Sequence, residues 1–198
     1  ATQDATPAQQ PQTFPQAVHL LQQKLTYPFL KHIANSAAII RHPQLQFDMV
    51  RLGIGLYGIE IATDVLELQT AATLRTTIAQ LKHLRAGETV SYNRRGVVKE
   101  DSVIATVRIG YADGYSRRFG NGVGKMLVHG QPAPVMGTVC MDMTMLDVTG
   151  IKGVKEGDEV IVFGESLSVE QVAAWIDTIP YELMTSISQR VKRIYYQE

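Results

Sequence analysis

A chain of 198 residues with 45% hydrophobic and 19% charged side chains holds enough apolar material for a real core in one or two domains, which excludes global disorder. Nineteen basic residues balance nineteen acidic ones, so no net field draws the chain to nucleic acid or anionic lipid, and neither is expected as a partner. A single cysteine, Cys140, with no zinc-type Cys or His spacing, excludes an internal disulfide and a metal site and suits a reducing cytoplasm; no apolar run reaches the roughly 18 residues of a membrane span, and ATQDATPAQQPQTF lacks a signal-peptide pattern.

Residues 1–15, rich in Gln, Pro, Thr and Ala, read as a polar tail or connection. From 14 to 25, Phe14, Ala17, Val18, Leu20, Leu21 and Leu25 recur mainly at spacings of three and four, the stripe of an amphipathic helix. An apolar strand is expected over 28–33, then a short helix through Arg41 opened by Asn35 and Ser36, and MVRLGIGLYGI follows as a second apolar segment. Apolar strands separated by a capped helix are the rhythm of a parallel α/β sheet. Beyond about residue 60, β-branched segments alternate with Gly, Pro, Asn and Asp, the pattern of an antiparallel barrel or sandwich. Within it, residues 154–158 read as a turn before a strand over Glu159–Phe163, and Ser168 with Gln171 has the spacing of a capping box opening a helix. The end of the chain, after ELMTSISQ, carries strand-like and basic residues.

The densest polar constellation is His32-x-x-Asn35-Ser36 followed by Arg51-x-Gly53-Ile54. An amide and a hydroxyl at a helix start, beside backbone N–H groups at the end of a second strand, make chemically a phosphate site. The alternative is that Asn35 and Ser36 only cap a helix while Arg51 pairs with a buried carboxylate. Spacing alone does not choose between them. Cys140 has no base paired to it by motif and is expected as a buried strand thiol, and His19, His42, His83 and His129 are assigned no role.

HIANSAA, MVRLGIGLYG, VSYN, IGYADGYSR, GTVCMDM and YELMTSISQRVKRIYY, in this order, resemble the C-terminal two-thirds of the pyridoxal-phosphate-dependent alanine racemase family. The resemblance implies α/β plus all-β architecture: residues 1–60 as the last part of a cofactor-binding (β/α)8 barrel and 61–198 as a mostly antiparallel β-barrel domain. It implies an isomerase that interconverts L- and D-alanine through an aldimine of pyridoxal 5'-phosphate, for cell-wall peptidoglycan precursors. The implied partner, besides the small substrate, is a second copy in a homodimer with shared active sites.

By the same resemblance, Asn35, Ser36, the backbone of Gly53 and Ile54, and the Tyr181 hydroxyl hold the cofactor phosphate. Arg51 faces the pyridine nitrogen, with His32 bonding to Arg51 from behind. A guanidinium has no acceptor and stays charged, so the ring nitrogen remains unprotonated and the ring is a weakened electron sink. Tyr92 is implied to be the base on one face of the substrate, in the partner's site. A phenol, with a reference pKa near 10, needs cationic help for that task. Where the family usually has Gly after this tyrosine, the chain has Asn93, the next best residue for positive φ. Tyr111, Met141 and Asp142 are implied to line the substrate path, the Met141 backbone N–H meeting the substrate carboxylate. The family's Schiff-base lysine lies near the first barrel strand, and no lysine here matches its motif, so the 198 residues alone are expected to be inactive. The readings set against this one are a non-catalytic β-barrel interaction module and a racemase or decarboxylase of similar barrel fold acting on another amino acid.

Overall fold

The computed structural model describes residues 9–59 and 66–196, and the chain divides into two units, Ala1–Ala71 and Ala72–Glu198. Helix α1 runs over Gln9–Lys24, beginning inside the stretch expected as a tail. Glutamine is a fair helix former, so polarity alone does not keep this stretch from helix. Pro15 lies inside α1, where it cannot donate to the carbonyl one turn back. The expected apolar stripe is present but uncovered at Leu20 and Leu21, while Phe14 meets Phe47 with ring centroids 5.0 Å apart.

Residues 28–34 are extended, but the expected strand is not formed as a ladder. They run beside residues 48–53 in parallel, with backbone bonds that span seventeen positions and a bridge that spans sixteen. Asp48 N–H donates to the Lys31 carbonyl at 3.1 Å, Arg51 N–H to the Ala34 carbonyl at 2.9 Å, and Asn35 bridges Arg51. Extended backbone becomes a sheet only through repeated cross-strand bonds, and here a single bridge qualifies. Helix α2, Ser36–Arg41, starts where expected, with Asn35 Oδ1 accepting the Ala38 N–H at 3.0 Å. The second apolar segment is also not a strand: Ile54–Tyr57 turns as a 3₁₀ helix, closed by Gly58.

The second unit is built on one sheet of six antiparallel strands. They are β1 (Leu74–Leu84), β4 (Ser102–Val107), β5 (Lys125–Val128), β6 (Gln131–Pro134), β7 (Thr144–Asp147) and β8 (Glu159–Phe163), ordered β6-β5-β8-β1-β4-β7; β2 (Thr89–Val90) and β3 (Gly96–Val97) form a separate pair. Strand β1 is long enough to pair with β8 through its first residues and with β4 through its last, bending at two register shifts. The edge strands meet through the Val135–Leu146 bridge and a Met136 N–H to Met145 carbonyl bond of 2.8 Å, which nearly closes the sheet into a barrel. Alternation fills its interior with Met126, Val128, Val107, Leu146, Val160 and Val162, all essentially inaccessible.

Helix α3, Val169–Trp175, carries one half of the expected capping box, Ser168 Oγ accepting the Gln171 N–H at 3.2 Å. Helix α4, Pro180–Ser186, follows, and residues 187–196 are irregular, so the strand-like ending finds no ladder. Among the described residues no helix is long and apolar enough to cross a membrane.

Candidate active site

In the first unit, the parallel register brings Asn35, Ser36, Arg51, Gly53 and Ile54 together. Ser36 is 2% exposed, and its Oγ accepts the Gly53 N–H at 2.9 Å, so its own proton remains to donate. Asn35 spends its carbonyl oxygen on the Ala38 N–H, while its amide nitrogen makes no hydrogen bond among the described residues. Ile54 is buried at the start of the 3₁₀ turn. With the Gly53 N–H spent on Ser36 Oγ, the donors gathered here are the Ser36 hydroxyl and the Asn35 amide, neutral groups that suit a phosphate. Arg51 is exposed, and its Nη2 donates to the Ile33 carbonyl at 3.3 Å. Among the described residues neither a buried ion pair nor the expected bond from His32 engages it; the exposed His32 precedes that carbonyl by one residue.

In the second unit, Tyr92, Tyr111, Met141 and Asp142 converge from three loops. Tyr92 sits on a short turn, Tyr92–Arg94, in which Asn93 takes φ 58° and ψ 23°, the conformation expected of an asparagine there. Thr138 N–H donates to Ser91 Oγ at 2.9 Å, so this turn is tied to the strip that begins at residue 138. On the other side, Tyr111 N–H reaches the Cys140 carbonyl and Ala112 N–H the Met141 carbonyl, each at 3.0 Å. Gly110 makes that approach feasible, because a Cβ on it would lie 2.3 Å from the Cys140 oxygen. The side chains of Tyr92, Tyr111 and Met141 are all exposed, at 72%, 43% and 52%. Tyr181, in the first turn of α4 and 44% exposed, joins neither group through the bonds described above.

One participant escaped the sequence reading. Arg190 donates from Nε to Asp113 Oδ1 at 2.7 Å and from Nη2 to Asp142 Oδ1 at 2.6 Å, joining the Tyr111 loop to the Met141 loop. These bonds, the one to Asp113 foremost, raise its pKa further above the usual arginine range. Its partners lie 77 and 48 positions away, so no local spacing announces them. Cys140 is half-buried and lies outside the strands, contrary to the strand thiol expected. Burial pushes its thiol pKa up, with the Tyr92 N–H and the Arg117 charge working against that. Among the described residues no cluster of three or more His, Cys, Asp or Glu could hold a metal ion.

Residues 71–195 match the family model described as "Alanine racemase, C-terminal domain", and residues 1–61 that described as "Alanine racemase, N-terminal domain". An alanine racemase of Clostridium tetani is 42% identical over 177 residues, covering 85% of this chain and 46% of the relative. Among solved structures, the alanine racemase of Bacillus anthracis with bound L-Ala-P superposes with a TM-score of 0.89 at 35% identity, covering all of this chain and 53% of that one. That of Bartonella henselae, with covalently bound pyridoxal phosphate, gives 0.81 at 30% identity, covering 98% and 54%. The chain therefore spans about half the length of the relatives it matches. Two family models in their proper order, one of them covering well over half of the residues, establish that the chain belongs to the alanine racemase family.

Proposed function

We propose that this chain supplies part of an active site that interconverts L- and D-alanine with pyridoxal 5'-phosphate, in a cytoplasmic homodimer feeding cell-wall synthesis. The observation that carries the reading is that hydrogen bonds among three loops bring together the segments bearing Tyr92, Tyr111, Met141 and Asp142. The names of the relatives, and the pyridoxal phosphate and L-Ala-P in two solved structures, support the choice of cofactor and substrate.

In this reading Ser36, Asn35 and the N–H groups of Gly53 and Ile54 bind the cofactor phosphate, with the Tyr181 hydroxyl as a further donor. Arg51 faces the ring nitrogen and, being a donor without an acceptor, leaves it unprotonated; His32 stands behind it. When bound, the cofactor delocalises the electron pair left on the α-carbon. The chain's part is to move protons: Tyr92 as phenolate takes the α-proton of one enantiomer, and in the reverse direction as phenol it gives a proton to that same face, while the lysine implied by the family serves the opposite face. The Met141 N–H meets the substrate carboxylate, and Tyr111 and Asp142 narrow the path to it.

Replacing Tyr92 in the complete protein tests this. Tyr92→Phe is expected to keep the cofactor absorbance and lose roughly 10²- to 10⁴-fold in racemisation, the usual worth of a positioned base. Both directions fall together, because the equilibrium between enantiomers is fixed. Exchange of the α-proton with deuterated solvent persists for the one enantiomer served by the other base. Unchanged turnover overturns the assignment.

A further inference from the structure

Tyr92 stands on backbone that its neighbours would not choose unaided. Ser91, Asn93 and Arg94 have φ of 66°, 58° and 53°. Asn93 is at ease in the left-handed region, but Ser91 combines its φ with ψ 174°, a corner occupied almost only by glycine. A serine persists there only where its surroundings over-determine it.

Those surroundings are specific. Ser91 Oγ accepts the Thr138 N–H at 2.9 Å. The side chain lies against a glycine that leaves it room: a Cβ on Gly137, whose φ is +72°, would lie 2.8 Å from Ser91 Oγ. Position 91 is thus bonded to the strip that continues into Met141. The Tyr92 side chain is itself 72% exposed, so little packing holds its ring, and the aim of the phenol is set by the backbone beneath it.

We infer that Ser91 is a positioning residue for proton transfer: its hydroxyl latches the strained turn to the 138–141 strip and so fixes the Tyr92 phenol relative to the Met141 N–H. This rests on the reading of Tyr92 as a base. A base displaced by as little as 1 Å loses about a hundredfold in rate, so a latch of one hydrogen bond is enough to matter. A serine that merely stabilised the fold would slow every step alike or none. A serine that aims one base slows only that base's proton transfer.

The test uses the complete, cofactor-loaded protein, with kcat, KM and primary isotope effects measured for α-deuterated L- and D-alanine. Ser91→Ala keeps the awkward φ and removes the latch. It is expected to lower kcat roughly 10- to 100-fold with KM within about twofold. The isotope effect rises for the enantiomer whose proton Tyr92 removes and falls toward unity for the other. Ser91→Gly, which relieves the backbone but has no hydroxyl, lies between Ser91→Ala and the parent, and it carries the test alone if the alanine variant does not fold. Isotope effects equal to the parent's for both enantiomers overturn the inference, whether or not kcat or the melting temperature has fallen. Tyr92→Phe separates the two levels: normal turnover in it removes the base reading and this inference together, whereas loss of turnover beside isotopically silent Ser91 variants removes this inference alone.

Discussion

The two units solve the problem of burying apolar side chains very differently. The second closes a six-stranded sheet on itself, and its interior residues, from Phe119 to Val172, are almost wholly withdrawn from water. The first buries Ala34, Ala37, Ile54 and Ile59, while Leu30, Met49, Leu52, Leu56 and Tyr57 remain exposed in it. Its extended segments run in parallel register yet make one bridge, whereas the second unit's strands make ladders of up to six residue pairs. Adjacent extended segments are therefore not yet a sheet, and apolar composition is not yet a core.

The contrast can be broken most directly by separating the units. Residues 72–198 expressed alone are expected to melt in one cooperative transition followed by circular dichroism, and residues 1–71 alone to show none. A cooperative transition in the shorter piece would refute the comparison. Next in size, Leu146→Ala in β7, which empties a fully buried position, should cost about 2–5 kcal/mol, while Leu56→Ala in the first unit, 62% exposed, should stay within about 0.5 kcal/mol; denaturant melts of the 198-residue chain measure both.

The smallest effect concerns acid. In the second unit, Asp158 accepts the Lys155 N–H at 2.9 Å and bonds the His129 ring at 2.9 Å, and these, the Lys155 N–H foremost, hold its carboxyl below the usual range. In the first unit, Asp48 is lowered chiefly by the Lys31 N–H. A depressed carboxylate contributes stability that is complete above the unfolded pKa of about 4 and is lost as pH falls through the folded value. Asp158→Asn should flatten the acid limb of the cooperative transition below about pH 4, and Asp48→Asn should leave that transition unmoved; melting temperature against pH distinguishes them.

What could be read in advance divides along the same line. Features set by neighbours in sequence were legible: the stripe of α1, the caps at Asn35 and Ser168, the strand Glu159–Phe163 and the left-handed Asn93. Features set by distant partners were not. The apolar run 28–33 looks like a strand because its residues suit one, and whether it becomes one depends on what lies alongside. The fork of Arg190 on two acids and the unusual φ of Ser91 follow from loops that meet only after the barrel is assembled, and no periodicity encodes them. Of the candidate site, residue types pointed to an anion, and the roles of Tyr92, Tyr111, Met141 and Asp142 came through family resemblance.

The closure of the barrel has a mechanical consequence. The ring is fastened at the Val135–Leu146 and Met136–Met145 contacts, and the stretch between them, turned by the Cys140 N–H to Met143 carbonyl bond, carries Met141 and Asp142. The clasp of the cylinder and the rim of the candidate site are one piece of chain. Any breathing that parts the clasp must also shake that rim, which the Arg190 guanidinium, bonded to both Asp142 and Asp113, ties to the Tyr111 loop.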